Sequence, residues 1–390
     1  MKQHYVCQFN PTELAATLAP LQGGKLTILL AEQDCAQVPL LQQLCRDFNI
    51  ALDGAIFPQL IGAQELIGAQ ELIGAQGLLP QGGWLLPRAN PYHATLLPLT
   101  PQSSAASLAH RIAEQVESML ATWPTPSPPP TLFLTFDNLI PNIASILDAL
   151  YLQLANRVNY AGANAGSGSF TPLACLFDNQ RQLTYGVTCT LLPSNSFPFL
   201  EHGYQLSAQP MLATSSEANK IAYIDWQPAF QKYQGLIRQQ FQHTMVREEL
   251  YRFVVHMPLG LLRANGDVIV RIPVEANDDG ALLCAGEVAE HSILTLLKAP
   301  ESATEHACSL ARRLNQQQTL TRAHLLEVYY CAGRQLHFDQ QTVTELRTLL
   351  THSGAGDLAG ALSLGEIGSV RHGDYPQFHN GAILCNGAVI

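Results

Sequence analysis

Two short stretches near the end of the chain carry residue types that could do chemistry. The first, LAGALSLGEIGSVRHGDYPQFHNGAILC from Leu358 to Cys385, brackets one carboxylate, Glu366, between Gly365 and Gly368. Glycine serves where the chain takes positive φ or lets another group approach the backbone closely, so Glu366 is held tightly. Arg371, His372, Asp374, His379 and Asn380 follow, a set of donors and acceptors that could face a small polar ligand. The alternative is a plain turn in which Glu366 caps a neighbouring helix or pairs with Arg371. The second stretch, Cys331-Ala332-Gly333-Arg334, closes a strand pattern, LEVYYCAGR, at the end of α/β strands where binding groups collect. Arg334 offers a planar fork suited to a carboxylate or phosphate. Cys331 could act as a nucleophile beside a base such as His379, or sit as a buried inert thiol.

Several elements are placed to position these groups. Lys25 to Ala31 is an apolar strand, followed by Val38, Leu41, Leu44 and Phe48 at helical spacing. Ser107 to Leu120 carries one apolar stripe and reads as a helix stopped by Pro124. Thr131 to Phe136 is a second strand, and Ile143, Ile146, Leu147, Leu150 and Leu154 mark the helix after it. Leu183 to Leu192 and Asp267 to Val274 alternate as strands, the latter after the turn Asn265-Gly266, a hairpin signal. Ser302-Ala303-Thr304-Glu305 is a capping box that opens a helix through Leu314. The order strand, polar loop, helix, Gly-Ala segment recurs at 25–57, 131–168 and 327–368, which suggests one α/β unit used more than once.

Composition bounds the function. At 390 residues, with 47% hydrophobic and 13% charged, the chain can build two domains with real cores. A net charge of −10 (21 basic against 31 acidic) argues against nucleic acid or an anionic membrane as partner. No apolar run approaches the ~18–20 residues of a membrane span, and the N-terminus lacks a signal-peptide core, so a cytoplasmic protein without membrane insertion is expected. Nine cysteines without a C-x-x-C pair fit a reducing compartment, and thirteen histidines without close helical spacing predict no metal. P-loop, G-x-S-x-G and H-E-x-x-H motifs are absent; Gly162 to Gly168, GANAGSG, leads into a strand rather than a helix and reads as a tight strand crossing, so no cofactor is expected. The hexad LIGAQE at Leu60–Glu65 and Leu66–Glu71, with LIGAQG at Leu72–Gly77, reads as an expanded surface loop. The run PTPSPPP at 124–130 reads as a stiff spacer.

The runs YYCAGR at Tyr329–Arg334, LSLGEIGS at Leu362–Ser369 and HNGAILC at His379–Cys385, with Met257-Pro258-Leu259-Gly260 and DVIVRIPV, resemble the C-terminal half of the FIST family. NYAGANAGSGS at Asn159–Ser169, TYGVTC, Leu200–Tyr204 and Ile224–Ala229 resemble its N-terminal half. The resemblance implies a sensory protein of mixed α/β (α+β) fold, with two related domains that each flank a sheet with helices. We expect an extension at 1–24, an N-terminal domain at 25–227, and a C-terminal domain at 228–390, split near Pro228. It also implies a small ligand, with amino acids proposed for the family, and a signalling protein as partner. Our physical reading of these motifs puts the ligand at Cys331, Gly333, Arg334, Gly365, Glu366, Gly368, His379 and Asn380, with Arg334 meeting a carboxylate and Glu366 an ammonium. A thiol-dependent hydrolase using Cys331 and a ligand-free docking scaffold are the alternatives.

Overall fold

The structure, a computed structural model, describes residues 3–62, 77–124, 128–193, 198–317, 319–369 and 375–389. The expected mixed α/β class holds: sheets flanked by helices, built largely from one repeated unit. Each unit centres on a pair of parallel strands joined by a helical crossover: Lys25–Ala31 with Ala51–Phe57, Thr131–Asp137 with Asn159–Ala165, and His324–Cys331 with Asp357–Ser363. These strands are buried along nearly their whole length because both of their faces are covered.

The units exchange strands in a ring. After its second parallel strand each unit sends a short hairpin to another unit's sheet and then returns to pair with its own first strand. Leu60–Gly62 and Leu78–Leu79 extend the third sheet, Leu176–Asp178 and Gln182–Leu183 the first, and Glu366–Gly368 and Gln377–His379 the second. The inner faces of all three sheets meet in one core, where the Tyr329 ring lies 5.8 Å from Phe57 and 5.1 Å from Phe133, one from each of the other units. Paired helices cover the outer faces, Ala105–Ala121 with Ile143–Leu154 on the second sheet and Ala303–Gln317 with Thr342–Ser353 on the third.

A nine-stranded sheet, from Gln205–Leu206 to Ile293–Lys298, is inserted between strand Phe199–Glu201 and helix Ala303–Gln317 and has its own core around Tyr233 and Ile237. Position 228 falls within this sheet, since Met211–Glu217 and Lys220–Ile224 hydrogen-bond to strands on its far side. Residues 4–18, set apart in the sequence as an extension, supply strand His4–Val6 to the first sheet and bury Leu14 and Leu18.

Two expectations require correction. The strand pattern LEVYYCAGR ends at Cys331, and Gly333 and Arg334 lie in the helix Ala332–Phe338. The hexad segment is not wholly a loop, because Leu60–Gly62 is buried and pairs with Asp357–Ser363; hexad residues 63–76 lie outside the described residues. Residues 125–127 of the proline run and Arg371, His372 and Asp374 lie outside them too.

Candidate functional site

The carboxyl ends of the third unit's parallel strands gather the residues singled out above into one buried network. Arg334, wholly buried, donates from Nε to Glu345 Oε2 at 3.0 Å and from Nη2 to Glu345 Oε1 at 2.7 Å. Its Nη1 donates to the His202 carbonyl at 2.7 Å and the Gly381 carbonyl at 3.3 Å, and His306 Nδ1 lies 2.7 Å from Nη2. Tyr330 Oη completes the shell of Glu345 at 2.6 Å. Burial alone would raise the Glu345 pKa, but the Arg334 guanidinium outweighs it and holds this carboxyl at about 2. The fork expected to receive a ligand carboxylate is therefore filled from within, by a side chain eleven positions along the chain.

Glu366 is equally enclosed. Ser363 Oγ donates to Oε1 at 2.6 Å and the Ala382 N–H to Oε2 at 3.2 Å, in place of the expected ammonium. Burial pushes this carboxyl up to about 8. Beside it the Cys331 thiol accepts the Gly381 N–H at 3.0 Å and is pushed well above its usual range by burial and then by Glu366. His379 stacks on His202 at 6.0 Å, and neither of its ring nitrogens has a hydrogen-bond partner among the described residues. Asn380 Oδ1 accepts the Ile272 N–H at 3.3 Å. Gly333, Gly365 and Gly368 are buried; at Gly365, with φ of 150°, a Cβ would lie 2.5 Å from the Phe378 ring.

Open space lies next to this network, at the carboxyl ends of the second unit's strands, the usual place for ligands in open α/β sheets. A cavity of about 310 Å³ is bounded by Asn138, Ile143, Asn164, Val274, Leu364 and Phe378. A neighbouring cavity of about 300 Å³ is bounded by Ser145, Arg263, Arg271, Glu287 and Gln377. Phe378 and Glu287 line both. The inserted sheet roofs the two cavities through Val274, Arg271 and Glu287, and the second unit forms the base. Asn138 Nδ2 and Asn164 Oδ1 are buried without a hydrogen-bond partner among the described residues, although such groups are nearly always paired. The Asn164 backbone bonds to the loop ahead of Glu366, its N–H donating to the Gly365 carbonyl at 2.8 Å and its carbonyl accepting from Leu364 at 3.0 Å. A broader groove of about 650 Å³ on the first sheet is a poorer candidate, because its Arg181 is paired with Asp178 at 2.6 Å.

Sequence reasoning passed over Asn138, Asn164, Arg271, Glu287, Gln377 and Phe378. One signal was present: Arg271 is the lone positive charge inside the apolar strand VIVR, where an exposed residue would have no reason to be flanked by buried ones. Among the described residues no group of three or more His, Cys, Asp or Glu could hold a metal ion, and no helix is long and apolar enough to cross a membrane.

No curated protein matches the chain. Family models do: the FIST N domain over residues 66–227 and the FIST C domain over 229–369, a division that coincides with the split near Pro228. FIST domains are small-ligand sensory domains of signal transduction. With both halves matched in order over most of its length, the chain belongs to the FIST family.

Proposed function

We propose that the protein is a non-enzymatic cytoplasmic sensor that holds a small polar metabolite, an amino acid being the leading candidate, in the paired cavities between the second unit and the inserted sheet. The observation that carries this reading is the pair of amide atoms, Asn138 Nδ2 and Asn164 Oδ1, that have no partner among the described residues, at one cavity wall. A donor and an acceptor left bare in a buried wall cost stability unless a ligand satisfies them. The third-unit residues Cys331, Gly333, Arg334, Gly365, Glu366, Gly368, His379 and Asn380 then back the site. Asn164 touches their loop through two backbone hydrogen bonds, so occupancy of the cavity is transmitted toward Glu366 and from there to a signalling partner. The high-pKa, enclosed thiol of Cys331 supports a binding role over a hydrolytic one.

Calorimetry and thermal shift against the twenty amino acids test the proposal. At least one should bind the wild type with saturation, and Asn164→Ala or Asn138→Ala should weaken it about tenfold or more, the cost of one buried hydrogen bond. Absence of binding across the panel, or unchanged binding by both variants, would overturn it.

A further inference from the structure

Arg271 differs from every other deeply buried charge described above. Its side chain is 2% exposed, yet its bonds run only to backbone carbonyls: Nε to Glu287 at 2.8 Å, Nη1 to Phe378 at 2.7 Å and to Val270 at 3.1 Å. No carboxylate among the described residues pairs with it, and its Nη2 has no hydrogen-bond partner among them. A guanidinium kept from water with no carboxylate bonded to it is costly, and burial draws its pKa down to about 10 although the nearby Glu287 charge acts in the opposite direction. The same side chain lines the second cavity, with Arg263 also at its wall.

We propose that Arg271 is the receptor for a carboxylate, so that the ligand of the paired cavities is a monocarboxylate whose acid group sits on the open edge of this guanidinium. The inference rests on the ligand reading above and sharpens it to a chemical class. Nε and Nη1 are committed to the three carbonyls, so Nη2, unpartnered among the described residues, supplies the charge-assisted bond to a carboxylate oxygen. Asp148, Glu287 and Glu290 line the same cavity, so a doubly charged phosphate meets repulsion where a single negative charge is tolerated. Across Phe378, the first cavity offers Ile140, Ile143, Val274 and Leu364 to an apolar stem, with Asn138 and Asn164 for a polar group on it.

Butyrate, 1-butanol and inorganic phosphate are suitable probes, titrated into the full chain by ligand-observed NMR with calorimetric confirmation. Butyrate should bind with saturation, and 1-butanol and phosphate at least tenfold more weakly. Arg271→Met should lose butyrate by about a hundredfold, and Arg271→Lys, which keeps the charge but not the guanidinium anchored on the carbonyls, by about tenfold. If Arg271→Met does not fold, Arg271→Lys decides alone. Equal binding of butanol, tighter binding of phosphate, failure of butyrate to bind the wild type, or wild-type butyrate affinity in the folded variants would each overturn the inference. An amino acid that binds the wild type, weakens on Asn164→Ala and is unaffected by the Arg271 variants would leave the sensor reading standing while this inference falls. Failure of every compound to bind would remove both.

Discussion

Arg334 and Arg271 are both withdrawn from water, and yet their surroundings are opposite in kind. Arg334 meets a buried carboxylate in two-pronged geometry, and its pKa rises above the usual value because Glu345 more than offsets burial. Arg271 meets carbonyl oxygens only, and burial lowers its pKa. The first arrangement is complete and has no need of a ligand, which makes it architecture. The second has no bonded carboxylate among the described residues, and it borders a cavity. In sequence each is an arginine that follows an apolar strand run, and the two look alike; the partner decides the role.

Breaking the complete arrangement should have the largest effect. Glu345→Gln leaves the Arg334 charge buried without compensation, and about 3–5 kcal/mol of stability should be lost, read from the urea midpoint at pH 7. Acid should act in the same direction in the wild type. The Glu345 carboxyl is held at about 2 in the folded protein against ~4.3 when unfolded, so its contribution is present above ~4.3 and is lost as pH falls toward about 2. A Glu345→Gln midpoint within error of wild type would mean that the pair is not a keystone.

Glu366 should produce a smaller effect of opposite sign. Folded, it keeps its proton to about 8, whereas unfolded it ionises near ~4.3, so the folded state binds more protons in between and stability falls as pH rises through that window. Below ~6.5 the buried histidines oppose this trend, since His202, drawn down to about 4 mainly by burial, and His379 gain protons on unfolding. Between pH 6.5 and 8 the carboxyl should dominate, with a loss of about 2 kcal/mol. Glu366→Gln should flatten that slope, and a slope as steep in the variant as in the wild type would assign the effect elsewhere.

Arg271→Met sharpens the contrast directly. Removing an uncompensated buried charge relieves its desolvation but leaves carbonyls of Glu287 and Phe378 short of a donor, and the two effects, each roughly 1–3 kcal/mol, should nearly cancel. The ligand-free variant should melt within a few degrees of wild type, while Arg334→Met should fall far below it. Equal losses in both would place the two arginines in one class.

The parallel strands and their crossover helices were legible in the sequence because each is long enough to show a period. Lys25–Ala31 is the strand read from its apolar run, and helix Ala303–Gln317 opens at the capping box, with the Glu305 N–H on Ser302 Oγ at 3.2 Å. The threefold recurrence of the unit was visible too. The exchanged hairpins were not, since Leu60–Gly62, Leu176–Asp178 and Glu366–Gly368 have three residues each and pair with strands distant in the chain. At the site, the Gly-Glu-Ile-Gly turn and Arg334 stood out by type. What the sequence could not reveal is that Glu345, one acidic residue on an amphipathic helix, faces inward and satisfies Arg334, which moves the open chemistry to Arg271.

The smallest effect concerns the strand that extends the sheet carrying Arg334. Leu60 and Ile61 are buried, and Leu60–Gly62 pairs with Asp357–Ser363, the neighbour of the strand that leads into Arg334. Deleting Leu60 to Glu71 removes this strand as it stands, yet it brings the third copy, Leu72-Ile73-Gly74, to follow Gln59 in the same position, with Leu78 now six positions from its start. The replacement segment has the same residues in the same alternation, so Leu and Ile can refill the same sites and the register with Asp357–Ser363 is kept. What changes is only the length of the hairpin's connection, from residues 63–77 to residues 75–77, and a fivefold shortening alters its closure entropy by about 1.4 kcal/mol. The deletion should therefore shift the melting temperature by a few degrees at most and leave ligand affinity unchanged. Ile61→Asp in the full-length chain should behave differently, because it buries an unpaired charge against the third sheet's outer core. If the deletion proves as damaging as Ile61→Asp, the copies are not interchangeable, and the hexads contribute packing of their own beyond the one strand they supply.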